Sequence, residues 1–215
     1  MRAAVLGAND GLISTSSLIV GVAAAGPNRA AVLVAAVAGL VAGALSMAAG
    51  EYVSVSSQAD TEDADLLREQ SELAHAPEQE RAELAAIYVA RGISADLALQ
   101  VADQLTKHDA LAAHARDELG IHDMTRARPI QAAVASAAAF SVGAVPPVIL
   151  AAVLPARLLT TGVTAASLAL LVALGAVAAH LGGASLMRGA MRVLFWGAVA
   201  MGATAVVGHM FGAVV

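Results

Sequence analysis

The sequence predicts an all-α membrane protein: five transmembrane helices, with a polar three-helix insert between the second and third. Three observations carry that expectation. The 215 residues are 59% hydrophobic and 13% charged, with a mean hydropathy of +0.74, whereas a soluble domain carries about 25% charged residues. Five apolar stretches are each long enough to cross about 30 Å of hydrocarbon as a helix. Of the 17 Asp and Glu residues, 15 lie between Asp60 and Asp123, leaving Asp10 and Glu51 outside.

The elements follow in order. Residues 3–25 form the first span. Asn9-Asp10-Gly11 interrupts it, which separates it from the short unbroken apolar core of a signal peptide. Gly26-Pro27-Asn28-Arg29 is a tight turn. Residues 30–57 form the second span, which runs on as a helix beyond the membrane. Gly39 and Gly43 stand four apart on it, the spacing that lets membrane helices pack closely. The insert has helical periodicity and clear punctuation. Its first helix ends near His75, before Pro77. The second runs from Pro77 to about Arg91, with Gly92 just past its end. The third is capped by Ser94, with Asp96 in its first turn, and runs to about Leu119, stopping at Gly120. Residues 129–154 form the third span, where Pro146-Pro147 must kink the helix and leave carbonyls in need of partners. Residues 158–180 and 190–214 are the last two spans, joined by a loop over 181–189. The chain thus divides into 1–57, 58–128 and 129–215.

Orientation follows from Lys and Arg near the span ends. The loops after the first and third spans carry one each, Arg29 and Arg157. The other side has Arg2, Arg126, Arg128, Arg188 and Arg192. This places the insert in the cytoplasm of a multi-pass cell-membrane protein and the C-terminus outside. A net charge of −5 excludes nucleic acid as a partner and points to cations. With no Cys, metal ligands must be O, N or thioether. No phosphate-binding loop, nucleophile elbow or H-E-x-x-H occurs, so a nucleotide-driven pump or a hydrolase has no support and the chain is not expected to be an enzyme.

Two constellations carry the expected chemistry. Met47 and Glu51 are four apart and share a helix face in the second span. Asp10 lies on the first span, a tight turn away in sequence. One thioether and two carboxylates, with Asn9 and Ser46 nearby, suit Fe²⁺ or Mn²⁺. An acid inside a membrane helix is a candidate functional residue by default. In the insert, Glu69 and Glu72, and Glu80 and Glu83, form pairs spaced three apart. Pro77 lets their helices fold back and present four carboxylates to one centre, as bundle proteins do for iron or manganese. His114 and Glu118, four apart on the third helix, can complete that set. His75, His108 and His122 read as surface residues, and His180 as an interfacial one.

Asn9-Asp10-Gly11-Leu12 with Ser14-Thr15, then Gly43-Ala-Leu-Ser-Met47-Ala-Ala-Gly-Glu51-Tyr-Val-Ser, then the Glu-rich insert, resemble the vacuolar iron transporter family with its nodulin-like and bacterial relatives. The resemblance covers essentially the whole chain. It implies a five-span homodimeric carrier that exports Fe²⁺, and often Mn²⁺, from the cytoplasm in exchange for protons, with the path at the dimer interface. It implies roles in the path for Asp10 and Met47, and metal binding by Glu69, Glu72, Glu80, Glu83 and Glu118. Two departures stand out. Some members carry a glutamate where this chain has Gly39, which shifts that carboxylate role to Glu51. Some carry a Met pair where this chain has His114-Ala115, exchanging a soft thioether for an imidazole.

The expected function is therefore proton-coupled export of divalent iron or manganese, with lipid, protons and a second copy as partners and no tightly bound cofactor beyond the handled ions. The alternative is a membrane-tethered metal sensor or buffer that does not transport. Residues 39–57 read as the handover from a metal-trapping insert to a membrane path.

Overall fold

A computed structural model describes residues 2–26, 28–122 and 127–212, which form seven α-helices and, among the described residues, no strand. Pro27, Asp123 and Arg126 lie outside them. The helices are α1 (Arg2–Ala24), α2 (Arg29–His75), α3 (Pro77–Ala90), α4 (Ala95–Asp117), α5 (Pro129–Val153), α6 (Ala156–Leu181) and α7 (Leu186–Gly212). Five of these helices, α1, α2, α5, α6 and α7, are long and apolar enough to cross a membrane. The molecule is an all-α membrane protein.

Two compact units divide the chain: Met1–Tyr52 with Ile130–Val215, and Val53–Pro129. In the apolar unit, α1 supplies Ile19 and Val20 to a core completed by Val32 and Ala36 of α2, Ala151 of α5, and Leu159 and Val163 of α6. A second cluster joins Leu12 of α1, Leu171 of α6 and Met201 of α7. Small residues let α1 and α5 meet backbone to backbone. A Cβ on Gly143 would run into the carbonyl of Ala8, and one on Gly11 into the carbonyl of Phe140. At the turn after α1, Gly26 takes φ +84°, which glycine adopts without strain. Asn28 Oδ1 then accepts the Ala31 amide at 2.9 Å to start α2. Arg29 donates to the Ala152 carbonyl, tying the start of α2 to the last turn of α5.

One sequence expectation needs correction here. The loop predicted over 181–189 is shorter, because α7 already begins at Leu186. Gly183 at φ +65° completes the reversal, and Leu186-Met187-Arg188 are good helix formers. Arg188 and Arg192 therefore sit in the first turns of α7. Pro146 and Pro147 lie inside α5, which continues through them, with Pro147 fully buried.

The polar unit takes the second part of α2 together with α3 and α4. Leu84 and Ala85 of α3 pack on Ala98, Ala102 and Ala113 of α4. Asp117 fastens the other end. It accepts from Tyr88 Oη at 2.7 Å, Arg91 at 3.1 Å and Arg116 at 3.2 Å. Burial pushes the Asp117 carboxyl up, but those donors outweigh it and hold it below the usual range.

Candidate metal sites in the two units

The geometry of the polar unit converges on His114. This side chain is fully buried, and Glu69 and Glu80 are buried with it, at 2% and 4% exposure. His114 Nδ1 lies 2.8 Å from Glu69 Oε1, 3.8 Å from Glu80 Oε2 and 3.0 Å from Glu118 Oε2. Ligand atoms of these four residues all fall within 4.8 Å of one another. One carboxylate comes from α2, one from α3, and the His with Glu118 from the end of α4. The hydrogen bond from the imidazole goes to Glu118. Glu69 Oε1 and Glu80 Oε2 crowd the same imidazole nitrogen, at 2.8 and 3.8 Å, yet make no hydrogen bond of their own among the described residues, a costly state unless a cation or a proton satisfies them. The carboxyls respond accordingly. Burial, then the charge of Glu118, raises Glu69 to about 7. Burial, then the charge of Glu83, raises Glu80 as well. Three carboxylates and one imidazole match the ligand preferences of borderline first-row divalent ions.

Glu72 and Glu83 fall outside this group. Both are exposed, yet the charge of Glu72 acts on Glu69 and Glu80, and that of Glu83 on Glu80. They add negative field around the cluster. Glu118 is the one exposed member of the four, so the group is approached from its side.

Delivery of His114 depends on a break that the sequence reading missed. The sequence reads as one helix from Ser94 to about Leu119, but Asp109 adopts φ −163°, ψ 97°, an extended conformation inside α4. Its Oδ1 accepts the Ala112 amide at 3.0 Å, as an N-cap does for a new helix. The last turns of α4, bearing His114, are in effect a second short helix. Ser94 at the start of α4 makes no side-chain cap bond. We expect Asp109→Ala to weaken divalent-metal binding by about fivefold, since a lost cap costs about 1 kcal/mol and the His moves with it. Asp109→Asn should restore binding in isothermal titration. Equal weakening by both variants would exclude the capping role.

In the apolar unit, a pocket of about 250 Å³ is lined by Asp10, Ser14, Thr15 and Leu18 of α1, Gly39, Gly43, Ser46 and Met47 of α2, and Phe140 of α5. The structure thus brings Asp10 and Met47 to one cavity, with the Ser46 hydroxyl beside them. Glu51 is exposed one turn beyond Met47 and does not line it. Asn9 is also outside the lining. Gly39 and Gly43, expected to serve close helix packing, do so by receiving side chains of neighbouring helices, Leu18 of α1 and Phe140 of α5. A Cβ on Gly39 would come within 2.5 Å of Leu18 Cδ2, and one on Gly43 would strike the Phe140 ring. Leu18 and Phe140 escaped sequence reasoning because an apolar residue in a membrane span carries no signal of its own. The one available cue was a large aromatic ring at position 140, among small residues.

The family model described as "VIT family" matches residues 1–209. A protein named "Vacuolar iron transporter" from Acanthamoeba castellanii is 47% identical over 98% of this chain and 78% of its own length. "Vacuolar iron transporter homolog 1" of Oryza sativa subsp. japonica is 39% identical over 99% and 74%, respectively. "Vacuolar iron transporter homolog 2" of Arabidopsis thaliana is 36% identical over 95% and 80%. With matching that spans nearly the whole sequence, the chain belongs to the VIT family.

Proposed function

We propose that this protein is a carrier, not an enzyme, that moves divalent iron or manganese out of the cytoplasm in exchange for protons. The single observation that carries the reading is the open cavity shared by Asp10 and Met47 on membrane-length helices. A carboxylate and a thioether held together in that setting offer a dehydrated cation a mixed hard and soft ligand pair. Relatives that bear the name of iron transporters support the cargo class. The polar unit lies in the cytoplasm on this reading. Its buried carboxylates and His114 gather the ion, and Glu72 and Glu83 draw it in. Glu51, exposed on α2, receives it ahead of Met47 and Asp10. Protonation of the path carboxylates from the far side releases the metal, which couples the two fluxes.

The carrier works as a homodimer in a cell membrane. Support comes from α2, whose membrane part leaves Val34, Val37, Val41 and Leu45 49–70% exposed, and from Asp10, which is exposed in the single chain. A carboxylate facing lipid is costly, and a second copy over the α1 and α2 face removes that cost.

The complete ligand group of the polar unit also favours a second reading, a membrane-tethered buffer that binds without transport. Proteoliposomes with an imposed pH gradient separate the two. Fe²⁺ and Mn²⁺ uptake that collapses with the gradient is expected. Binding without uptake would leave only the buffer.

A further inference from the structure

The outward face of α7 carries charge and aromatic rings that neither metal site uses. The buried stripe of this helix is Ala190, Gly197, Met201 and Gly208, and it packs on α1 and α6. With 3.6 residues per turn, Arg188, Arg192, Phe195 and Trp196 fall on the opposite side. The exposures agree. Phe195 is 58% and Trp196 62% exposed, and both arginines are exposed. The two rings meet edge to face, with centroids 5.3 Å apart.

Neither arginine has an anion beside it. Arg188 and Arg192 take part in no ion pair or hydrogen bond among the described residues. The sequence has no Asp or Glu after Asp123, so α6 and α7 carry none. On α1 the one acid is Asp10, which lines the cavity with Met47. The two guanidinium groups stand four residues apart, about 6 Å along the axis, at the start of a helix whose dipole is positive there too. Phe195 and Trp196 follow one turn further into the span. Helix-end arginines alone satisfy the orientation rule and need no ligand. The rings directly beneath them are a separate observation. Aromatic residues are only 3% of the chain and Trp196 is its one tryptophan, so no general interfacial belt accounts for their placement.

We propose that Arg188 and Arg192 hold the headgroup phosphate of an anionic phospholipid, with its acyl chain lying against Phe195 and Trp196. An arginine fork binds phosphate oxygens in pairs, and residues four apart are neighbours on a helix surface, so both can close on one headgroup. A zwitterionic lipid offers the same phosphate but brings its own ammonium, which two arginines repel. The rings supply flat apolar surface at the depth where headgroup gives way to chain. The cytoplasmic leaflet is the anionic one, and α7 begins on that side in the orientation read from Lys and Arg. The site does not depend on what the Asp10 cavity carries. It bears on that cavity through packing, because Met201 of α7 meets Leu12 of α1, two residues from Asp10. A lipid that fixes the depth of α7 steadies the helix that bears Asp10.

As the one tryptophan, Trp196 reports on the site without a label. The full chain is placed in phosphatidylcholine vesicles holding a small fraction of phosphatidylglycerol with brominated acyl chains, which quench a tryptophan they touch. A parallel sample carries the bromines on the same fraction of phosphatidylcholine. The brominated anionic lipid is expected to be favoured about tenfold, equivalent to 1.4 kcal/mol in relative affinity. Arg188→Gln combined with Arg192→Gln should bring the two lipids level, and each single replacement should go part of the way. Arg128→Gln removes a charge just before α5 and should leave the preference in place. Glycerol phosphate added to the water should not compete, because it lacks the chain. Equal quenching by the two lipids in the wild type overturns the site, as does a preference that survives the double replacement. An equal loss in Arg128→Gln overturns it in favour of general surface charge. Displacement by glycerol phosphate overturns it in favour of a site for free anions.

Discussion

Asp10→Ala and Met47→Ala are each expected to reduce Fe²⁺ and Mn²⁺ flux by roughly 10–100-fold, the rate equivalent of losing a charge-assisted contact worth about 1.5–3 kcal/mol. Both side chains face the same cavity of about 250 Å³, so removing either leaves a desolvated cation with an incomplete set of ligands. Glu51→Ala should do less, because Glu51 is exposed and outside the cavity. The polar unit is unaltered in all three variants, so its metal binding, read by titration of the full chain in detergent, should hold. Flux through Asp10→Ala and Met47→Ala at the wild-type rate would remove the cavity from the path. A larger loss in Glu51→Ala than in Asp10→Ala would move the selective step to the helix end.

Metal binding by the polar unit is expected to fall steeply as the pH drops below about 7, where Glu69 takes up a proton. Metal ligation needs the carboxylate, so affinity is lost with each proton gained. The sign for folding is the reverse. A carboxyl raised from 4.5 to about 7 by burial holds its proton more tightly in the folded chain. Its contribution to stability is complete below the unfolded value of 4.5 and is lost as the pH rises through about 7. Glu80 is raised by the same cause and acts in the same direction. Asp117 is lowered, so its contribution is lost only as the pH falls through a value below the ordinary 3.8, clear of this window. The metal-free protein should therefore melt at a lower temperature at pH 8 than at pH 5, and added Mn²⁺ should reverse that order. Glu69→Gln keeps the shape without the charge. It should flatten the slope of the metal-free protein and weaken metal binding by at least the roughly 10–100-fold that loss of an outer partner costs. A metal-free melting curve that rises with pH across this window would show that the buried carboxyls are not the groups in control.

Asp10, Met47 and the insert's glutamates were legible because charge and sulfur are conspicuous in an apolar sequence. An acid that interrupts a membrane span has few benign explanations. The pairing of Glu69 with Glu80 was also within reach, since Pro77 can only reverse the chain there. Spacing could not show which member of each pair turns inward. Residues three apart share a helix side, and the packing of Leu84 and Ala85 against α4 accompanies Glu80 in the buried centre while Glu83 is left in solvent.

The sequence by itself determined the five apolar helices, the polar insert and the family, because hydropathy, proline and glycine act over a few residues and leave a periodic trace. Only the tertiary structure decided the sites. Leu18 matters because Gly39 is opposite it, Phe140 because Gly43 is, and His114 because Asp109 breaks α4 and turns it toward Glu69. Each is a relation between residues on different helices or across a backbone bend, fixed by close packing in three dimensions, and no local pattern in the chain records it.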